Sequence, residues 1–233
     1  MTSLIRTART TGVLYLGLAV TGMLGFLLIR PMLFSADDPG ATAAALAENE
    51  TLARIGIALE IAIVLTQALA AIWFYKLFAS ARPVAAASIA AFGLVNAVAI
   101  LGSTASISTA LAVALDPALA PAGDAAAAAA QFYTLSDAFW SAGNLFFGLW
   151  LIPMGAAVLT SGWAPRLLGW ALIAGGIGYC LSAFTTALLP GADAVNAALT
   201  LPATVAEFWM IGYLLIVGVR RSAQVPTPAA ALA

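Results

Sequence analysis

The sequence predicts an all-α polytopic membrane protein, a bundle of six transmembrane helices with both termini cytoplasmic, and three observations predict it. Of 233 residues, 63% are hydrophobic and 8% charged, whereas a soluble domain carries about a quarter charged residues. Six apolar runs reach the roughly 20 residues that a bilayer core requires, at 11–30, 52–78, 84–115, 128–160, 166–189 and 199–219. The basic residues gather on alternate sides of those runs, as the positive-inside rule demands of a multi-pass chain.

The first run follows Arg6 and Arg9 and ends at Arg30-Pro31, where a cleaved signal would need small residues, so it reads as a retained helix. The outer loop that follows (31–51) opens with Asp-Asp-Pro-Gly, a turn, and continues into an Ala-rich stretch able to form a short helix over the bundle. Tight turns, ASARP (79–83) and SGWAPR (161–166), join the second span to the third and the fourth to the fifth, each with a proline that stops the preceding helix. The fourth run is too long for a straight crossing, so GDAAAAAAQ (123–131) extends it beyond the outer boundary, and Pro153 marks a kink. Residues 1–221 form one domain, and 222–233 read as a disordered cytoplasmic tail.

With the N-terminus inside, Arg6, Arg9, Lys76, Arg82, Arg166, Arg220 and Arg221 all fall on the cytoplasmic face. Only Arg30 and Arg54 lie opposite. A bacterial inner membrane is the location this implies, with membrane lipid as the surrounding partner. Lipid gives helices no hydrophobic reason to associate, so small residues must let backbones approach. Gly17, Thr21 and Gly25 recur in the first span, Gly102, Ser106 and Ala110 in the third, and Ala174, Gly178 and Ser182 in the fifth. Trp73, Trp140, Trp163, Trp170 and the tyrosines lie largely toward span ends, as interfacial anchors do.

Three acids fall within or at the margin of the spans: Glu60, Asp137 and Glu207. At 1.5 Å per residue from the cytoplasmic ends, Glu207 sits about 18 Å up, Glu60 about 27 Å and Asp137 about 34 Å. Glu207, inside VAEFWMIGYL (205–214), is therefore the acid held deepest in the hydrocarbon. Helical neighbours extend each acid into a stripe: Glu60 with Gln67, Asp137 with Ser141 and Asn144, Glu207 with Thr204. Asn96, Ser103 and the hydroxyl-rich STASIST (103–109) supply a further stripe on the third span. Such stripes turn inward, where hydrogen bonds offset desolvation. Arg30 and Arg54 are the expected counter-ions. An arginine partner would make an acid a structural strut, whereas an acid without one suits proton coupling.

Several function classes are excluded. A formal charge of −1 with no basic block excludes nucleic acid as a partner. With no histidine and the single Cys180, neither a zinc hydrolase nor a serine–histidine protease can be assembled, and only Asp137 lies near a span, where an aspartyl protease needs two aspartates. The chain is expected to be no enzyme, with no metal and no cofactor.

The runs TTGVLYLGLAVTGMLG (10–25), ETLARIGIALEI (50–61) and NLFFGLWLIPMGAAVLTSGWAPRLLGWALIAGGIGYCLSAF (144–184) resemble a family of small six-helix bacterial membrane proteins known as a conserved domain of unknown function. The resemblance covers nearly the whole chain and implies fold and location. That family often carries an Arg in the third helix and a His in the fourth. The corresponding regions here hold Gly93 and Asn96, and Ser136-Asp137, so no site residue carries over.

The expected function is binding or transport of a small cation, amphiphile or lipid in an outward-facing cavity lined by Glu60, Gln67, Asn96, Asp137, Asn144 and Glu207. The alternative is a non-catalytic structural or accessory subunit, whose small-residue seams serve a membrane partner or a second copy in a homo-oligomer.

Overall fold

A computed structural model describes residues 2–189 and 191–220. Among them there is no strand, and six helices are long and apolar enough to cross a membrane. The expected tail at 222–233 and the placement of Arg221 lie outside the described residues.

The first crossing begins as α1 (Thr2–Gly22), passes through a seven-residue π-helical stretch, Met23–Ile29, and finishes as the single turn α2 (Arg30–Leu33). It starts well before the apolar run because Arg6 and Arg9 extend the helix at no cost where water remains. α3 (Pro39–Glu48) forms from the Ala-rich loop, with Asp38 Oδ1 accepting from the Ala41 amide at 2.9 Å as its cap. The remaining crossings are α4 (Glu50–Phe78), α5 (Pro83–Leu115), α6 (Ala125–Ser161), α7 (Arg166–Leu188) and α8 (Asp193–Ile216). Pro153 is accommodated inside α6 and Pro202 inside α8, so α8 begins earlier than its apolar run. α6 stops at Gly162, whose φ of 69° closes the helix in the left-handed conformation.

Each of α4 to α7 packs on the next, and α1 closes the ring by touching both α4 and α8. Two cores result. The larger holds Tyr15, Phe74, Trp150, Leu151 and Met154 with partners from all six crossings, and the smaller holds Leu46 of α3 against Leu111, Ala129 and Tyr133. α3 thus lies across the ends of α5 and α6.

The seams are internal. Gly17 meets Thr66 of α4, Gly102 meets the ring of Phe139 on α6, and a Cβ at Gly178 would collide with the Leu199 carbonyl of α8. Gly148 and Gly176 bring α6 and α7 together so closely that a Cβ on either would lie 2.7 Å from the other's carbonyl oxygen. On α7 the contact stripe runs through Gly175, Gly178 and Ser182, while Ala174, one position round the helix, is exposed.

Candidate functional site

The polar stripes turn inward but form two separate sites. Toward the α3 end, Arg30 is 7% exposed and projects across the bundle. Its Nη1 contacts Glu60 Oε1 at 2.9 Å, its Nη2 contacts Asp137 Oδ1 at 2.7 Å and donates to Ser136 Oγ at 2.7 Å, and its Nε donates to Asp137 Oδ1 at 3.0 Å. Glu60 is satisfied on both oxygens. Trp140 Nε1 donates to Oε1 at 3.3 Å, and Ser103 and Thr104 hydroxyls donate to Oε2 at 2.9 and 3.2 Å. Ser103 and Ser136 lie 2.6 Å apart, and the Tyr133 ring flanks the guanidinium at 4.9 Å. The arginine here serves two acids from one position, because the π-helical turn just before it brings Gly25 against Leu59 and turns Arg30 inward.

Arg54 does not take the counter-ion role expected of it. Its Nε pairs with Glu50 Oε1 at 2.7 Å, with both side chains well exposed. The reason is helical phase: Glu50 is one turn back on the same face, whereas Glu60, six residues on, is about 240° round the helix.

Glu207 belongs to the second site, and among the described residues no arginine or lysine forms an ion pair with it. Its partner is the Tyr15 hydroxyl, which donates to Oε1. Tyr15 is 2% exposed and edge-on to Phe74 and Trp150, both at 5.4 Å. Around this pair lies a cavity of about 230 Å³ to which all six crossings contribute. Its polar wall is Gln67, Asn96, Asn144, Thr204 and Glu207, and its aromatic wall includes Phe26, Trp140, Phe147 and Tyr179. Trp140 and Phe26, whose rings lie 4.8 Å apart, separate this space from the Arg30 cluster.

Of the six residues expected to line one cavity, Gln67, Asn96, Asn144 and Glu207 do so, while Glu60 and Asp137 belong to the ion cluster. The lining also includes Met23, Leu27 and Phe208, which are 48%, 61% and 48% exposed on the outside of the bundle. The cavity therefore reaches the flank of the molecule between the π-helical stretch and α8. α1 and α8 meet nearer the termini, where Gly12 faces Leu214 and Gly218 faces Ile5. Toward the α3 end, beside the cavity, the Arg30 cluster links α2, α4, α5 and α6.

A family model described as a domain of unknown function, DUF4386, matches residues 10–218. The chain belongs to the DUF4386 family. No curated protein and no solved structure matches it. The matched DUF4386 segment includes every residue of both sites, from Tyr15 to Ile211.

Residue reading alone missed Tyr15, Ser136 and Trp140. The sequence groups Tyr15 and Trp140 with the interfacial aromatics, yet Tyr15 sits well inside its crossing, where an anchor has no function. That depth appears only in the structure, where the crossing begins at Ser3 and not at residue 11. Most of the STASIST hydroxyls bond to their own helix, as Ser106 does to Gly102 O and Ser108 to Thr104 O, whereas Ser103 reaches Glu60 and Thr104 shares its proton between Ile100 O at 2.9 Å and Glu60. Among the described residues no cluster of His, Cys, Asp and Glu could hold a metal ion.

Proposed function

We propose that this chain binds a cationic amphiphile from the membrane phase, without catalysis, in the cavity around Glu207. The observation that carries the reading is a carboxyl group with no arginine or lysine partner among the described residues, set in a mostly aromatic and apolar wall that reaches the side of the bundle. A buried acid left without a cation of its own is costly in hydrocarbon and is matched by a ligand that brings one. Aromatic faces add attraction for the same charge. The apolar rim of Met23, Leu27 and Phe208 suits entry from acyl chains, with the tail left in lipid and the head drawn inward.

In the proposed setting the chain lies in a bacterial inner membrane with both termini in the cytoplasm, so the Arg30 cluster and α3 face outward. The accessory-subunit alternative loses support, since the seams through Gly17, Gly102 and Gly178 are occupied within the chain. The test is a titration of the purified protein in a non-ionic detergent with octylammonium and, separately, octyl sulfate, followed by tryptophan fluorescence, because Trp140 lines the cavity. Saturable quenching by the cation alone supports the reading. Equal, non-saturating responses to both ions would overturn it.

A further inference from the structure

Glu207 accounts for the charge of the cavity, and a neutral group on the same wall remains unexplained. Asn96 of α5 is 4% exposed and lines this space. Gly93, one turn earlier on α5, packs against Trp150 of α6, and Gly143 of α6 leaves room for the Asn96 amide, since a Cβ there would come within 2.9 Å of its Oδ1. Among the described residues neither polar atom of Asn96 has a hydrogen-bond partner. Gln67 Oε1 and Trp150 Nε1 are unpaired too, but they are sealed within the packing and offer a ligand nothing, whereas neither atom of the Asn96 amide is sealed. Whichever way that amide is turned, it presents an NH₂ donor and a carbonyl acceptor. Nearly all buried polar groups in proteins are paired, and an unpaired one on a membrane-spanning helix is a mark of a binding site. Packing alone gives no reason for it, because an apolar side chain of the same size would fill the position without the desolvation cost.

We infer that the ligand carries a hydroxyl beside its cationic nitrogen, bound by the Asn96 amide, so that its class is an amphiphilic amino alcohol. This rests on the proposed function and specifies its ligand. The two polar groups divide the head group between them, with Glu207 taking the charge and Asn96 the neutral part. A hydroxyl matches a primary amide better than an ether or ester oxygen does, because it both donates and accepts. A plain alkylammonium still binds through its charge, but it leaves the amide unpaired in the occupied cavity. A site built to hydrogen-bond a hydroxyl rejects the analogue lacking it far more strongly than a pocket rejects a missing methylene.

The experiment is a titration of the full chain in non-ionic detergent with octylammonium ions bearing a hydroxyethyl or a hydroxypropyl arm on nitrogen. Each is compared with the isostere in which a methyl group replaces the hydroxyl, the propyl and the butyl compound. All four are secondary ammonium ions, cationic at pH 7 because alkylammonium groups titrate near about 10, so charge and N–H count stay fixed while the hydroxyl varies. For at least one arm length the hydroxyl compound should bind about 10-fold more tightly than its isostere. In Asn96→Leu, which removes no hydrogen bond from the protein, that preference should fall to about twofold or less, with affinity for the alkyl isostere kept within about threefold. If leucine overpacks the position, Asn96→Ala carries the same prediction. No hydroxyl preference at either arm length, or a preference that persists without Asn96, overturns the inference while the cation-binding reading stands. If octylammonium itself binds no better than octyl sulfate, both are overturned.

Discussion

Glu60 and Glu207 are both acids on membrane-spanning helices of one bundle, and the protein treats them in opposite ways. Glu60 has an arginine, an indole N–H and two hydroxyls on its two oxygens, at distances from 2.9 to 3.3 Å. Glu207 has one tyrosine hydroxyl and an adjoining cavity. The first gives Glu60 a cation and a donor on each oxygen, and it ties four crossings together at the α3 end: the first through Arg30 of α2, α4 through Glu60, α5 through Ser103 and α6 through Ser136 and Asp137. The second leaves capacity over. A satisfied buried charge belongs to architecture, and an unsatisfied one beside open space belongs to binding.

The comparison breaks most visibly at Arg30. Arg30→Met leaves Glu60 with the Trp140, Ser103 and Thr104 donors but without its cation, and should cost about 3–5 kcal/mol of unfolding free energy, as loss of one partner of a buried pair does. Reversible unfolding in mixed micelles measures it. The double variant Arg30→Met with Glu60→Met removes the two buried charges, leaves only Asp137, whose side chain is 41% exposed, and should recover a large part of that loss. A double variant as unstable as the single would mean that the cluster contributes more than charge balance.

A smaller effect, on the other side of the comparison, concerns Gly22. It lines the cavity in ordinary right-handed helical conformation, and a Cβ there would meet nothing within 4 Å. Gly22→Leu should fill the space and weaken octylammonium binding about 10-fold, equivalent to roughly 1.4 kcal/mol, while the unfolding midpoint stays or rises, since a leucine favours helix over glycine by up to about 1 kcal/mol. Unchanged affinity would show that the ligand does not occupy this space. The smallest effect belongs to Arg54→Ala. Its exposed pair with Glu50 lies within one helix, and its loss should change stability by less than about 0.5 kcal/mol and leave binding untouched.

The crossings were legible because a bilayer imposes one long apolar run per helix, and the inward stripes were legible because helical phase is a local property. Arg30 was legible as a counter-ion from its position at the end of the first crossing, although its bidentate service to Glu60 and Asp137 depends on the π-helical turn over Met23–Ile29, which no residue pattern announces. The Glu50–Arg54 pair was readable from its four-residue spacing, and the competing expectation for Arg54 overlooked it. The division of one expected cavity into two sites was not readable. It depends on Trp140 reaching Glu60 and Phe26 meeting Trp140, and on Tyr15 meeting a carboxyl 192 positions away. Contacts of that kind are fixed by packing and leave no trace in the spacing of either residue.

Glu207→Gln tests the division most directly, because it removes the charge and keeps the shape. Octylammonium titration and micellar unfolding on the same preparation give the two numbers required. The account predicts that saturable binding is lost while the unfolding midpoint stays close to that of the wild type. Retained binding, or a loss of stability as large as that of Arg30→Met, would contradict it.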